Sequence, residues 1–166
     1  PPSPPSPPSP RVAVALTREA GKNAPLAARL RERGLSTVEL PTLCFTPLDH
    51  ARLAERLLAA SSQASWVVVT SADAANLLAH EWNRAQRPPL TVACVGKATA
   101  DALAAHGIAA DFVPSKATAK VLAAELPADG PTSVLYPCSA LAADTLCEAL
   151  ESRGFTTERL EAYTVE

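Results

Sequence analysis

Val92-Ala93-Cys94-Val95-Gly96-Lys97-Ala98-Thr99-Ala100-Asp101-Ala102-Leu103-Ala104-Ala105-His106-Gly107 is the segment from which the rest of the chain is read. It starts as a short apolar run that predicts a buried strand, turns at Gly96, and continues as an alanine-rich helix whose main core residue is Leu103. Gly107 stops that helix as a C′ glycine, where a left-handed backbone costs little. A strand feeding a helix through so tight a turn aims backbone N–H groups at the carboxyl edge of a sheet. That edge is where open α/β sheets hold ligands, and a helix N-terminus there attracts anions. Lys97 sits in the first turn, where a cation opposes the helix dipole by roughly 0.3–1 kcal/mol. A bound anion would remove the conflict; a solvated surface lysine is the plainer reading of the same residue.

The same alternation extends in both directions. Upstream, residues 12–16 read as a strand and 17–21 as a loop. A helix opens at Asn23 and Pro25, carries Leu26 and Leu30 on one face, and stops at Gly34. Residues 36–40 read as a second strand, Pro41 and Pro47 bracket a crossing loop, and residues 49–60 form an amphipathic helix with Leu53, Leu57 and Leu58. Residues 66–70 are a strong strand, and Thr70-Ser71-Ala72-Asp73 is a turn with N-cap chemistry before a helix bearing Leu77 and Leu78. Downstream, a short strand is expected at 111–113, a helix at 117–126 and a strand at 134–136. Pro137-Cys138-Ser139-Ala140 then turns into a helix ending at Gly154, followed by a last strand at 157–160 with Tyr163 just past it. Strands and helices alternating through short loops predict an α/β fold with a doubly wound parallel sheet.

Composition narrows the function. The chain has 166 residues, with 48% hydrophobic and 19% charged, enough for a sizeable core. A net charge of −2 and 4% aromatic residues argue against nucleic acid held by bulk positive charge or base stacking. An anionic ligand would instead be held by local devices. Cys44, Cys94, Cys138 and Cys147 form no C-x-x-C pair and read as reduced, mostly buried thiols. His50, His80 and His106 make no ligand-spaced pair with them, so no metal is expected. The longest apolar runs are as short as Trp66-Val67-Val68-Val69, so no membrane span is expected. Residues 1–10, PPSPPSPPSP, predict a solvated polyproline II segment and lack the features of a signal peptide.

Residues 12–40 and 132–160 align at an offset of 120 without a gap. Val14 matches Val134, Ala20 Ala140, Leu26 Leu146, Leu30 Leu150, Arg33 Arg153, Gly34 Gly154, Thr37 Thr157 and Leu40 Leu160. Both copies read strand–turn–helix–glycine–strand. The first is followed by residues 47–126 with two ligand-edge turns, and the second by nothing comparable. Duplication would therefore place an equivalent segment beyond Glu166.

Thr17-Arg18, Val69-Thr70-Ser71-Ala72, Val95-Gly96-Lys97-Ala98-Thr99-Ala100, Leu135-Tyr136-Pro137-Cys138 and Tyr163-Thr164, in this order across residues 11–166, resemble the uroporphyrinogen-III synthases. The resemblance implies two similar flavodoxin- or Rossmann-like domains joined by a two-stranded connector, one of them complete here. Residues 46–162 would be the complete domain, 11–45 the first part of the other, and 163–166 the returning connector. It also implies a cofactor-free, monomeric enzyme acting on hydroxymethylbilane, a linear tetrapyrrole with eight carboxylates, with inversion of the last pyrrole ring and loss of water. A piece lacking the opposite wall of the cleft would be inactive alone. Under this resemblance Thr17, Arg18, Thr70, Ser71, Ala72, Gly96, Lys97 and Ser139 are candidate substrate-binding residues, and Tyr163 and Thr99 candidate catalytic ones. Tyr163, a phenol with an ordinary pKa near 10, would assist departure of the hydroxyl. For Thr70, Ser71, Thr99 and Ser139 helix capping is the simpler role, and Tyr163 also reads as an amphipathic strand-end aromatic. The family often has Asn or Arg where this chain has Asp73, so no role passes to Asp73. A plastid location is expected, with the cytoplasm as the alternative. A non-enzymatic α/β module for a small anion is the competing function. A nucleotide-binding Rossmann domain ranks below both, because neither glycine-rich phosphate motif is present.

Overall fold

The computed structural model describes residues 13–166; the proline-rich segment 1–10 lies outside the described residues. The described chain forms two compact units, one made of the residues up to Phe45 with Val165 and Glu166, the other of Thr46–Thr164.

In the first unit, β1 (Ala13–Leu16), α1 (Ala24–Glu32) and β2 (Ser36–Glu39) make one parallel strand–helix–strand turn. Pro25 stands in the first turn of α1, where its missing N–H is no loss, and Gly34 follows the helix at φ +75°. Leu16 and Ala27 are buried, whereas Leu26 is 46% exposed, so the face expected to carry Leu26 is not the packed one.

The second unit holds β3 (Phe45–Pro47), α2 (His50–Ser62), β4 (Trp66–Val69), α3 (Ala72–Arg84), β5 (Thr91–Cys94), α4 (Lys97–Ala104), α5 (Ala119–Glu125), β6 (Ser133–Ser139), α6 (Thr145–Glu151) and β7 (Thr156–Val165), with the outer ends of β3 and β7 crossing into the first unit. The strands form one sheet in the order β3-β7-β6-β4-β5. β5, β4, β6 and β7 run parallel. β3 runs antiparallel to β7: Leu48 N donates to Ala162 O, and Cys44 and Glu166 exchange both backbone hydrogen bonds at 2.7 and 3.0 Å.

β4 reads as an unbroken apolar run because it is covered on both faces. Trp66 and Val68 join Leu122, Leu126, Tyr136, Leu146 and Leu150 in the core beneath α5 and α6. Val67 and Val69, of opposite parity, are fully buried on the other face, where α2, α3 and α4 pack in succession. The expected doubly wound sheet is thus present. The repeat is also visible in the ladders. Ala13 pairs with Ser36 in β1–β2 and Ser133 with Thr156 in β6–β7, the same register 120 residues apart. Gly154 follows α6 at φ +88°, as Gly34 follows α1.

Four local expectations are corrected. The strand expected at 111–113 is a single bridge, Ala93 to Phe112, because Pro114 has no N–H with which to extend the ladder. Leu58 is 50% exposed, since Leu53, Leu57 and Ala60 define the buried stripe of α2. The turn at 137–140 does not lead directly into a helix: β6 runs on to Ser139 and α6 begins at Thr145. Tyr163 lies inside β7 and not past its end, because β7 stays paired with β6 as far as Ser139↔Tyr163.

Candidate functional site

β4 lies between β5 and β6, and the winding reverses there: α3 and α4 cover one face, α5 and α6 the other. Such a switch point opens a crevice beyond the carboxyl ends of the two central strands. Thr70 and Ser71 follow β4 at that edge, Gly96 and Lys97 follow β5, and Ser139 closes β6.

Ser71 is extended (φ −148°, ψ 158°) and caps α3, its Oγ accepting from Ala74 N at 3.0 Å. The same Oγ lies 3.1 Å from Tyr163 Oη. One residue back, Thr70 Oγ1 lies 3.2 Å from Tyr136 Oη. Two hydroxyl pairs therefore stitch the end of β4 to β6 and β7. Both phenols are buried, at 5% exposure for Tyr136 and 7% for Tyr163. Burial pushes the Tyr136 hydroxyl above its ordinary range, against a smaller opposing pull from its bond to Thr70. The Tyr163 hydroxyl rises for the same reason, against its bond to Ser71. Both stay protonated at neutral pH and can donate a hydrogen bond or a proton.

The β5 turn is held against its neighbour by Val95 N, which donates to Val69 O at 3.0 Å. Gly96 has φ 176° and ψ 177°, extended backbone open to any residue. Its glycine is required by proximity, since a Cβ there would stand 2.6 Å from Ala117 Cβ. Thr99 is 4% exposed, with its N–H bonded to Gly96 O, so it belongs to the interior of this turn. Lys97 reaches forward along α4, its Nζ 2.8 and 2.9 Å from the two carboxylate oxygens of Asp101. Ala72 is the exposed first residue of α3.

Ser139 Oγ accepts from Leu141 N at 3.1 Å. The loop that follows is braced by Arg159, whose Nη2 donates to Ala142 O at 2.9 Å and lies 3.4 Å from the carbonyls of Ser139 and Ala140. Its Nη1 donates to Glu161 Oε1 at 2.7 Å, and its Nε lies 3.1 Å from Asp144 Oδ1. Thr17 and Arg18 follow β1 in the first unit and are exposed; their carbonyls accept from Thr42 and from Asn23 Nδ2.

Seven of the residues singled out from sequence thus share the carboxyl edge of the second unit's sheet or the first helical turn above it: Thr70, Ser71, Ala72, Gly96, Lys97, Ser139 and Tyr163. Thr99 stands behind them, and Thr17 and Arg18 belong to the other unit. Sequence reading gave no role to Tyr136 or Arg159. A buried aromatic inside a strand and a cation on an outer strand carry no local signal of what they will reach. The edge offers hydroxyls, protonated phenols and the first-turn amides of α3 and α4, a set suited to carboxylates and to hydrogen-bond donation. A cavity of about 200 Å³ lined by Arg56, Ser65, Ser133 and Glu158 opens at the opposite, amino ends of β4 and β6. The metal-type donors His50, His80 and Glu81 group elsewhere again.

The family model described as uroporphyrinogen-III synthase HemD matches residues 24–166. A relative in Oryza sativa subsp. japonica named uroporphyrinogen-III synthase, chloroplastic, is 38% identical over 160 residues, covering 91% of this chain and 52% of its own length. A uroporphyrinogen-III synthase of Synechococcus elongatus is 30% identical over 156 residues, covering 90% of this chain and 59% of its own. The chain therefore spans little more than half the length of these relatives. Among solved structures, a mutant uroporphyrinogen III synthase from the extremely thermophilic bacterium Thermus thermophilus superposes with a TM-score of 0.68 at 19% identity, over 93% of this chain and 62% of that one. The Helicobacter pylori 26695 enzyme does so with a TM-score of 0.53 at 17% identity, over 94% and 62%. At those identities the superpositions speak to the fold; the family match and the two sequence relatives place this chain in the uroporphyrinogen-III synthase family.

Proposed function

We propose that the protein to which this chain contributes is a uroporphyrinogen-III synthase, which cyclises hydroxymethylbilane with inversion of the terminal pyrrole and loss of water. The match of the family model over residues 24–166 carries this reading. The substrate is a flexible polyacid that cyclises unaided to the unrotated isomer. The catalyst's work is therefore to hold one conformation, the regime in which positioning dominates. Thr70, Ser71, Ala72, Gly96, Lys97 and Ser139 would receive carboxylates at the switch-point edge; Thr17 and Arg18, in the first unit, are substrate-binding candidates in their own right. Tyr163 would donate to the departing hydroxyl, since a phenol whose pKa burial raises is present in its protonated form at neutral pH. Thr99 would act from behind, by keeping the β5 turn in shape. Residues 1–166 alone would be inactive. A plastid location follows the name of the rice relative.

The test supplies hydroxymethylbilane to the full-length protein and resolves the isomers by chromatography. Type III product is expected, reduced in Tyr163→Phe; type I product alone would reject the assignment. Robust type III product from residues 1–166 alone would reject the view that the opposite wall of the cleft is needed.

A further inference from the structure

Away from that edge, three side chains of α2 and α3 converge. His50 is the first residue of α2, and His80 and Glu81 are consecutive in the last turns of α3, which packs against α2. Glu81 is wholly buried, at 0% exposure. Its Oε1 lies 2.6 Å from His50 Nδ1 and 2.7 Å from His80 Nδ1, and its Oε2 lies 3.2 Å from Arg84 Nη1. The two imidazoles stand edge to face, with ring centroids 5.9 Å apart. One donor atom from each of the three residues falls within 4.8 Å of the other two.

A carboxylate with no solvent contact is costly unless it is fully partnered. Burial pushes the Glu81 carboxyl up, but the hydrogen bonds from His80 and His50 and the charge of Arg84 outweigh it and hold it below the usual range. The group is therefore an anion at neutral pH. Arg84 occupies one oxygen and sets the rotation of the carboxylate, as a supporting partner does around a metal ligand. The other oxygen is left to the two imidazoles. Two nitrogens and one oxygen is the donor set of open zinc-type sites, which complete four-coordination with water. Ligands on such an ion, at about 2.0–2.1 Å, stand roughly 3.3 Å apart. The two Oε1–Nδ1 separations, 2.6 and 2.7 Å, need to open by roughly 0.6–0.7 Å to admit one. The side chains of His50 and His80 are 39% and 63% exposed, which leaves a way in and room for the water.

We propose that His50, His80 and Glu81 form a binding site for a divalent, borderline transition metal of the zinc class, which staples the start of α2 to the end of α3. Without the ion, each Nδ1 donates its proton to the carboxylate. With it, the lone pair on each Nδ1 would take the metal, the ring N–H standing on Nε2. Spacing along the chain could not show this grouping, because His50 comes from a different helix.

The test titrates Co²⁺ and then Zn²⁺ into the chelator-treated full chain, in a Cys44→Ser background that removes the exposed thiol. Cobalt should give the intense visible absorption of a four-coordinate site, zinc should abolish it, and zinc should raise the melting temperature. Loss of an outer-sphere partner alone costs roughly 10–100-fold in affinity. His80→Ala, which removes an exposed side chain and spares the core, should therefore weaken cobalt binding by about tenfold or more. His50→Ala should do the same, and His106→Ala should do nothing. Absence of the cobalt band, or its survival in both His50→Ala and His80→Ala, would overturn the proposal and leave the cluster an ion pair only.

Discussion

Replacing Gly96 with alanine tests why the turn after β5 has its shape. The new methyl would sit 2.6 Å from Ala117 Cβ and 3.4 Å from Ala117 Cα. Carbon atoms attract best at about 3.5–4.0 Å, so the two methyls must part by roughly an ångström. The backbone adds nothing to the cost, because φ 176° is extended. Overpacking of this kind costs about 1–3 kcal/mol. Ala117 lies on an exposed segment before α5 that can yield in part, which places the expected loss at about 1–2 kcal/mol. In a chain of this length that lowers the melting midpoint by roughly 2–8 °C. The assay is a double-mutant cycle by urea denaturation. Ala117→Gly alone should cost up to about 1 kcal/mol through backbone entropy. In the double variant the clash is gone, so the two penalties should fall short of additivity by about 1 kcal/mol. Gly96→Ala as stable as the parent, or two penalties that simply add, would refute the account of this turn as a close approach.

Three further outcomes are expected. A thiol reagent at pH 8 should label the native chain rapidly at Cys44 alone, because Cys94, Cys138 and Cys147 are buried and burial raises their pKa, that of Cys138 to about 11; unfolding in denaturant should expose all four cysteines. Stability should fall between about pH 9 and 11: the unfolded chain sheds thiol and phenol protons at their ordinary values while folded Cys138, Tyr136 and Tyr163 retain theirs, so a urea midpoint that rises over this range would contradict the burial of these groups. Ser71→Ala removes both the cap of α3 and the partner of Tyr163, for about 1–2 kcal/mol. Tyr163→Phe removes only the hydroxyl contact, for about 0.5–1.5 kcal/mol, and equal losses in the two variants by urea denaturation would show that the cap contributes nothing.

The architecture was legible because its signals are local. The apolar runs Trp66–Val69 and Thr91–Cys94, and the glycines at 34, 107 and 154, each mark an element by its own residues, and all three glycines have positive φ. The offset repeat was legible because ladder register follows core spacing. The length of β7 was not, since Glu161, Tyr163 and Thr164 mix polar and apolar residues and are drawn into the strand by pairing with β6 and β3. The site was half legible. Thr70 and Ser71 announce a capped turn, but Tyr136 and Tyr163 reach them across 66 and 92 residues. Arg159, bracing the loop after β6 from 17 to 20 residues away, has no nearby feature to betray it. The convergence of His50 on Glu81 across 31 residues is likewise a product of helix packing.

Within the second unit, the incoming and outgoing chain lie side by side, with Leu48 bonded to Ala162. A segment whose two ends are neighbours makes a small demand on any polypeptide that hosts it, since the host must bridge only one strand spacing, about 4.8 Å, to close over the gap. Such a piece can be excised, permuted or lodged in another loop with its own hydrogen-bond ladder largely preserved.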